Sequence, residues 1–236
     1  MGMDIVGPFP LATRQRKFLL VAIDYFTKRV EAEPLAHIIE GEVMKFIWKN
    51  IICHFGLPRE IIYDNGRQFQ GRRIQDWYMR LHIKQRFTSV SHPQANGQVK
   101  VTNRILVQGI KERLDRSGGN WVEELTSVLW SYQTTPRSST RESPFSLVYG
   151  TEALIPAELG IPSHRIMHFN KESNSELLKE RLDLADKLRE TTFIRKQRYK
   201  STMINTHNKR VKNHHFQVGD LVLQMVDTLK PVRKLD

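Results

Sequence analysis

The chain has 236 residues, 39% hydrophobic and 26% charged, a globular mix sized for one ordinary domain with an appendage or two small domains. Its formal net charge of +12 favours a polyanionic partner, nucleic acid before an anionic membrane. No apolar run approaches the ~20 residues of a membrane span, which excludes an integral membrane protein of the helical kind. The start MGMDIVGPFP lacks the basic and apolar stretches of a secretory signal, and Val6 spoils a myristoylation pattern. Cys53 is the single cysteine, so an internal disulfide and a cysteine-based zinc centre are both excluded. A reducing compartment, nucleus or cytoplasm, fits best. Cys53 lies in the apolar run FIWKNIICHF and is expected to be a small core residue.

In chain order, KFLLVAIDYF at 17–26 reads as a buried strand, and RVEAEP at 29–34 alternates like an antiparallel neighbour with one wet face. Residues 41–56 place Val43, Phe46, Ile47, Ile51 and Phe55 at helical spacing, with Gly56 and Pro58 as stop signals. REIIYDNG at 59–66 is a short strand running into a turn. A helix is expected around 70–81, with Ile74, Trp77, Tyr78 and Leu81 on one face, and HIKQRF at 82–87 is another strand. TSVSHPQANG at 88–97 is rich in turn formers and reads as a mobile loop, His92 being a loop polar group. Residues 98–114 form a long amphipathic helix along Val101, Ile105, Val107, Ile110 and Leu114. Another helix covers 120–135, ended by Pro136. The fold class is α/β, with a mixed sheet and helices on its faces.

The character changes after about residue 163. Residues 164–236 hold 16 Lys and Arg against 9 Asp and Glu, and between 195 and 219 there are seven basic residues and no acidic one. A charged helical pattern runs over 176–200, and FQVGDLVLQM at 216–225 reads as the first strand of a small β module. Three segments result: a core at 1–160, a basic helical linker at 161–215, and the start of a β module at 216–236.

Two aspartates carry the chemistry in this reading. Asp24 ends a buried apolar strand, and Asp64 sits where another strand meets a turn. Carboxylates gathered at neighbouring strand ends repel, and a divalent cation resolves the repulsion. Phosphodiester chemistry uses such a site directly through two metal ions.

The chain as a whole resembles the integrase catalytic core of gypsy-class LTR retrotransposon polyproteins, relatives of the retroviral integrases. The resemblance rests on MDIVGPFP at 3–10, VAIDYFTK at 21–28, FGLPREIIYDNGRQF at 55–69, SHPQANGQ at 91–98, VTNR at 101–104 and WSYQTTPRSSTRESPFSLVYGTEALIP at 130–156. It implies a ribonuclease-H-like mixed five-stranded sheet flanked by helices, and a polynucleotidyl transferase that joins a DNA 3′ hydroxyl to a target phosphodiester. It implies Mg²⁺ or Mn²⁺ as cofactor, DNA as partner, a possible homo-oligomer and no membrane. The family's N-terminal zinc-binding HHCC set does not occur here, so the chain is expected to be a piece of a polyprotein.

In that family the third metal ligand is a Glu with 35 residues between it and the second Asp, which here falls on Lys100. A lysine cannot ligate Mg²⁺ and carries the metal's own sign. Asp24 and Asp64 are then the surviving catalytic and metal-binding residues, with Lys100 pairing with them as an internal cation. Glu112 is too distant to substitute, about 18 Å further along the same helix. The expectation is a catalytically impaired copy. Arg29 and Tyr63 are lesser departures from the family pattern, standing where it favours Trp and a small residue.

For nucleic-acid contact the candidates are Asn96 and Gln98 beside the loop, Asn103, Arg104 and Lys111 on the helix, and Arg195, Lys196, Arg198, Lys200, Lys209, Arg210 and Lys212 in the basic stretch, with Tyr199 as a stacker. The alternative from a different class is a non-catalytic nucleic-acid-binding protein, or a functionless relic, with the same fold.

Overall fold

A computed structural model describes residues 1–63, 66, 69–88, 97–154, 167, 168 and 170–211. Five strands form one mixed sheet: β1 (Gly2–Val6), β2 (Phe18–Ile23), β3 (Val30–Leu35), β4 (Glu60–Tyr63) and β5 (Lys84–Phe87), in the order β3-β2-β1-β4-β5. β1, β2 and β3 pair antiparallel; β4 runs parallel to β1, and β5 parallel to β4. The sheet is the mixed five-stranded one expected, with a strand, β1, over residues that carry no strand assignment in the sequence reading.

β2 shows why its sequence is apolar throughout. Leu20 and Ala22 join one hydrophobic cluster and Leu19, Val21 and Ile23 the other, so both faces are covered. Below the sheet lies α1 (Glu40–Ile47), continued by a π-helical stretch over Trp48–Ile52 and a last turn over Cys53–Phe55. It buries Val43, Phe46, Ile47 and Ile51, the stripe expected. Phe55 is instead partly exposed and faces Arg29, whose guanidinium lies 5.0 Å from its ring centre. Cys53 is exposed, not a core residue, because it stands about 200° around the helix from Ile51. α2 (Arg72–Arg80) completes this layer with Ile74 and Tyr78, and Trp77 packs at its edge.

Above the sheet run α3 (Gly97–Ser117) and α4 (Trp121–Thr134). α3 buries Val99, Thr102, Asn103, Leu106 and Ile110. Of the expected stripe, Ile110 is buried and Val107 and Leu114 pack against the cluster, but Val101 and Ile105 are exposed, the buried positions there being Thr102 and Leu106. The true stripe contains Thr102 and Asn103, which a purely apolar count skips. Asn120 caps α4 by accepting from the backbone N–H of Val122. A short helix, α5 (Pro144–Tyr149), is capped by Ser143, and Gly150 ends it at φ +74°.

The basic segment forms one long helix, α6 (Lys171–Asn208). It docks on the core along one line. Ala185 and Thr192 are buried, Arg189 donates to the carbonyls of Leu147 and Val148, and Arg195 pairs with Glu142 at 3.0 Å. Among the described residues no helix is long and apolar enough to cross a membrane. The FQVGDLVLQM segment lies outside the described residues.

Candidate active site

Sheet and helix converge at the middle of β1. Met3 belongs to the cluster under the sheet, so strand alternation turns its neighbours Gly2 and Asp4 toward α3. The approach is close at Gly2, where a Cβ would stand 2.5 Å from Val99 Cγ2 and 2.2 Å from the Tyr25 hydroxyl. A side chain there would push α3 off the strand. Two residues along, Asn103 Nδ2 donates to Asp4 Oδ2 at 2.8 Å. The other Asp4 oxygen accepts from the backbone N–H of Ile5 at 2.9 Å. Asn103 is 7% exposed, and its own Oδ1 is buried without a hydrogen-bond partner.

Lys100 precedes Asn103 by three residues and Arg104 by four, so all three share one flank of α3. Lys100 and Arg104 are exposed. Lys100 forms no ion pair among the described residues, so it is not a cation paired with Asp24. The reason is angular. Gln98, not Lys100, points toward the Asp24 turn, where its amide oxygen accepts from Lys28. Residues two apart on a helix diverge by about 200°.

Asp24 is committed to its own turn. Its Oδ2 accepts from the N–H and the hydroxyl of Thr27, both at 2.8 Å, while its backbone closes the β2–β3 connection through Arg29 and Lys28. Asp4 pairs with Val21 and Gly2 with Ile23, so Asp24 lies past the start of β1, three residues from the partner of Asp4, about 10 Å at ~3.3 Å per residue. The carboxylate beside α3 is thus Asp4, which the sequence reading passes over. The signal is in the sequence: Asp4 sits in MDIVGPFP, one of the segments that carry the family resemblance.

Asp64 lies outside the described residues, as do Asn96, Lys212 and the loop before α3. β4, which leads to Asp64, ends at Tyr63, one residue past Ile62, the partner of Gly2. Tyr63 is fully buried and stacks on Phe69 at 4.3 Å, which explains a bulky residue at that position. Among the described residues no three His, Cys, Asp or Glu side chains form a metal-binding group.

The remaining candidates separate by environment. Asn103 serves Asp4. Arg195 is engaged by Glu142, and Lys196 donates to the Tyr25 carbonyl at 2.5 Å with its ammonium 5.4 Å from the Phe26 ring centre. Lys111, Arg198, Lys200, Lys209 and Arg210 are exposed. Burial, with Lys196 nearby, lowers Lys28 to about 8 against a weaker opposing pull from Asp24.

Residues 1–93 match the family model described as integrase core domain. The chain is 29% identical over 206 residues to the Gag-Pol polyprotein of avian reticuloendotheliosis virus, covering 87% of this chain and 17% of that protein. It is 26% identical over 227 residues to the transposon Tf2-3 polyprotein of Schizosaccharomyces pombe, covering 94% of this chain and 16% of that one. The chain thus spans about a sixth of the length of these relatives. Among solved structures it is similar to a simian T-cell lymphotropic virus intasome, with TM-score 0.57 and 21% identity over 72% of this chain and 59% of that one. It is also similar to the HTLV-2 integrase catalytic core domain in complex with magnesium, with TM-score 0.52 and 19% identity over 61% of this chain and 92% of that one. The fold is the ribonuclease-H-like fold of integrase catalytic cores, and the first 93 residues carry the integrase core domain match.

Proposed function

We propose that this chain is the catalytic-core segment of a gypsy-class retroelement integrase whose metal site is built on Asp4 and Asp64 and has lost its third carboxylate to Lys100. The observation that carries the reading is the bond from Asn103 to Asp4, which fixes the Lys100 flank of α3 over the middle of β1. The parallel register sets Ile62 beside Gly2, and Asp64 follows Ile62 by two positions in the sequence. Tyr63, the last residue of β4, faces the cluster under the sheet. Asp24 then acts as the turn residue of the β2–β3 connection rather than as a ligand.

Divalent ions in such a site activate an attacking hydroxyl and stabilise the leaving oxygen. The donor set here does not fit two of them, because one of three acidic positions is an ammonium that repels the metal. Strand transfer is therefore lost or nearly so, while DNA binding through exposed basic residues of α3 and α6 remains. Oligomer formation on DNA belongs to the same reading, since the intasome and the core of the similar viral proteins are assemblies.

The test is Lys100→Glu. In the full chain with Mn²⁺ or Mg²⁺ it is expected to raise thermal stability in a metal-dependent way and to restore joining of a short DNA end to a target. A Lys100→Glu protein with no metal-dependent shift overturns the reading.

A further inference from the structure

Away from the carboxylates, the start of α3, the segment after α4 and the C-terminal third of α6 border a cavity of about 480 Å³, within the range of small-ligand sites. Four basic side chains line it: Lys28, Arg137, Lys196 and Lys200. The Ser138 and Ser139 hydroxyls and the Tyr199 ring join them, and none of the described lining residues is acidic. The cations come from three separate parts of the chain, so the fold assembles them; they are not a run along one exposed helix.

Their surroundings leave donors unused. The Lys28 ammonium donates to the Gln98 side chain and that of Lys196 to the Tyr25 carbonyl, while an ammonium has three donors. Arg137 gives one terminal nitrogen to the Tyr132 carbonyl and lies 3.6 Å over the Tyr132 ring, yet its Nε is buried with no partner. Burial lowers Lys28, Arg137 and Lys196, and Lys28 and Lys196 each feel a further cation, Lys196 and Lys200 respectively. Among the described residues Asp24 is the acid that pulls Lys28 and Lys196 the other way. A partly desolvated cation cluster of this kind disfavours the empty fold and is relieved by an anion. Tyr199, 43% exposed at the cavity, offers a face on which a base can stack.

We infer that this cavity is a nucleotide-binding site, taking a phosphate ester between Lys28, Lys196 and Lys200 and a base against Tyr199, whether the nucleotide is free or part of a strand. The site requires neither the carboxylates nor a metal; it rests on the proposed function only where that reading has α6 meet DNA, and the metal-dependent test of Lys100→Glu is separate from it.

The full chain is titrated in EDTA, which removes the metal question. The probes are a fluorescein-labelled single strand of about ten nucleotides, within the usual span of such sites, and deoxyadenosine monophosphate, deoxyadenosine and inorganic phosphate as competitors. The double substitution Lys28→Gln with Lys196→Gln is expected to weaken strand binding about tenfold or more, as loss of charge-assisted contacts does. Lys28→Arg with Lys196→Arg retains binding, and circular dichroism shows both to be folded. Lys45→Gln with Lys49→Gln, exposed on the helix under the sheet and away from the cavity, changes binding by less than about twofold. Tyr199→Leu weakens the monophosphate but not inorganic phosphate. Competition by the monophosphate but not the nucleoside assigns a free nucleotide; binding of the strand alone assigns nucleic acid. A folded glutamine pair that binds like the parent, or a control pair that loses as much, overturns the inference.

Discussion

Asn103 on α3 donates to Asp4 on β1 across 99 positions of sequence, at 2.8 Å, and so ties the helix that carries Lys100 to the central strand of the sheet. A short polar contact of this kind serves two ends: it neutralises part of a half-buried carboxylate, and it sets which helix flank faces that carboxylate.

The first prediction separates the two aspartates. In the Lys100→Glu background, Asp4→Asn is expected to cut metal-dependent strand transfer by about 100-fold or more, the scale of losing a ligand. Asp24→Asn leaves that activity within a few fold, because its carboxylate serves Thr27. The reverse ranking would return Asp24 to the site.

Asn103→Leu removes the donor from Asp4 and is expected to lower stability by about 1–2 kcal/mol, the range for a lost hydrogen bond to a charged group offset by relief of the unpartnered Oδ1. Urea denaturation measures this. In the Lys100→Glu background the same change should weaken metal binding about tenfold, as removal of a supporting contact does.

Lys28 makes the stability of the fold depend on pH. The folded chain holds Lys28 at about 8, below its ordinary 10.5, so between those values the unfolded chain binds more protons than the folded one. Stability contributed by this group therefore rises with pH across that window, and its cost is fully present below it. Lys28→Gln should flatten the rise between pH 8 and 10.5 in urea titrations. An unchanged slope would show that Lys28 is not responsible.

Arg29 lies between two rings, 5.0 Å from Phe55 and 5.3 Å from Tyr149, and its Nε donates to Glu31 at 2.8 Å. Arg29→Ala should cost about 1–2 kcal/mol through the lost cation–π and hydrogen-bond contacts. Arg29→Trp, a flat ring in the same slot, should retain more of the melting temperature than Arg29→Ala, as thermal denaturation would show.

Gly150 combines φ +74° with a tight neighbour: a Cβ there would stand 3.2 Å from Ala185 Cβ. Gly150→Ala should strain the end of α5 and loosen α6, at about 1 kcal/mol or more. Hydrogen exchange should quicken around Ala185 and Thr192 while the sheet stays protected.

The sequence by itself determined the elements with long or strongly periodic patterns: the helix over 41–56, α2, α3, α4, the β2–β3 pair and the basic helix. Each carries its period in adjacent residues, and burial of one face requires nothing more. It also determined that position 100 is lysine at the count set by Asp64. What only the tertiary structure decided is which carboxylate stands beside α3. Asp4 and Asp24 both follow or enter apolar strands, and local pattern ranks the longer strand higher. The choice depends on sheet order. β1 lies between β2 and β4, so α3 covers its residues from above, while β2 turns away at Asp24. Strand order and parallel pairing are long-range properties, fixed by how two faces of one sheet are covered, and no window of neighbouring residues contains them.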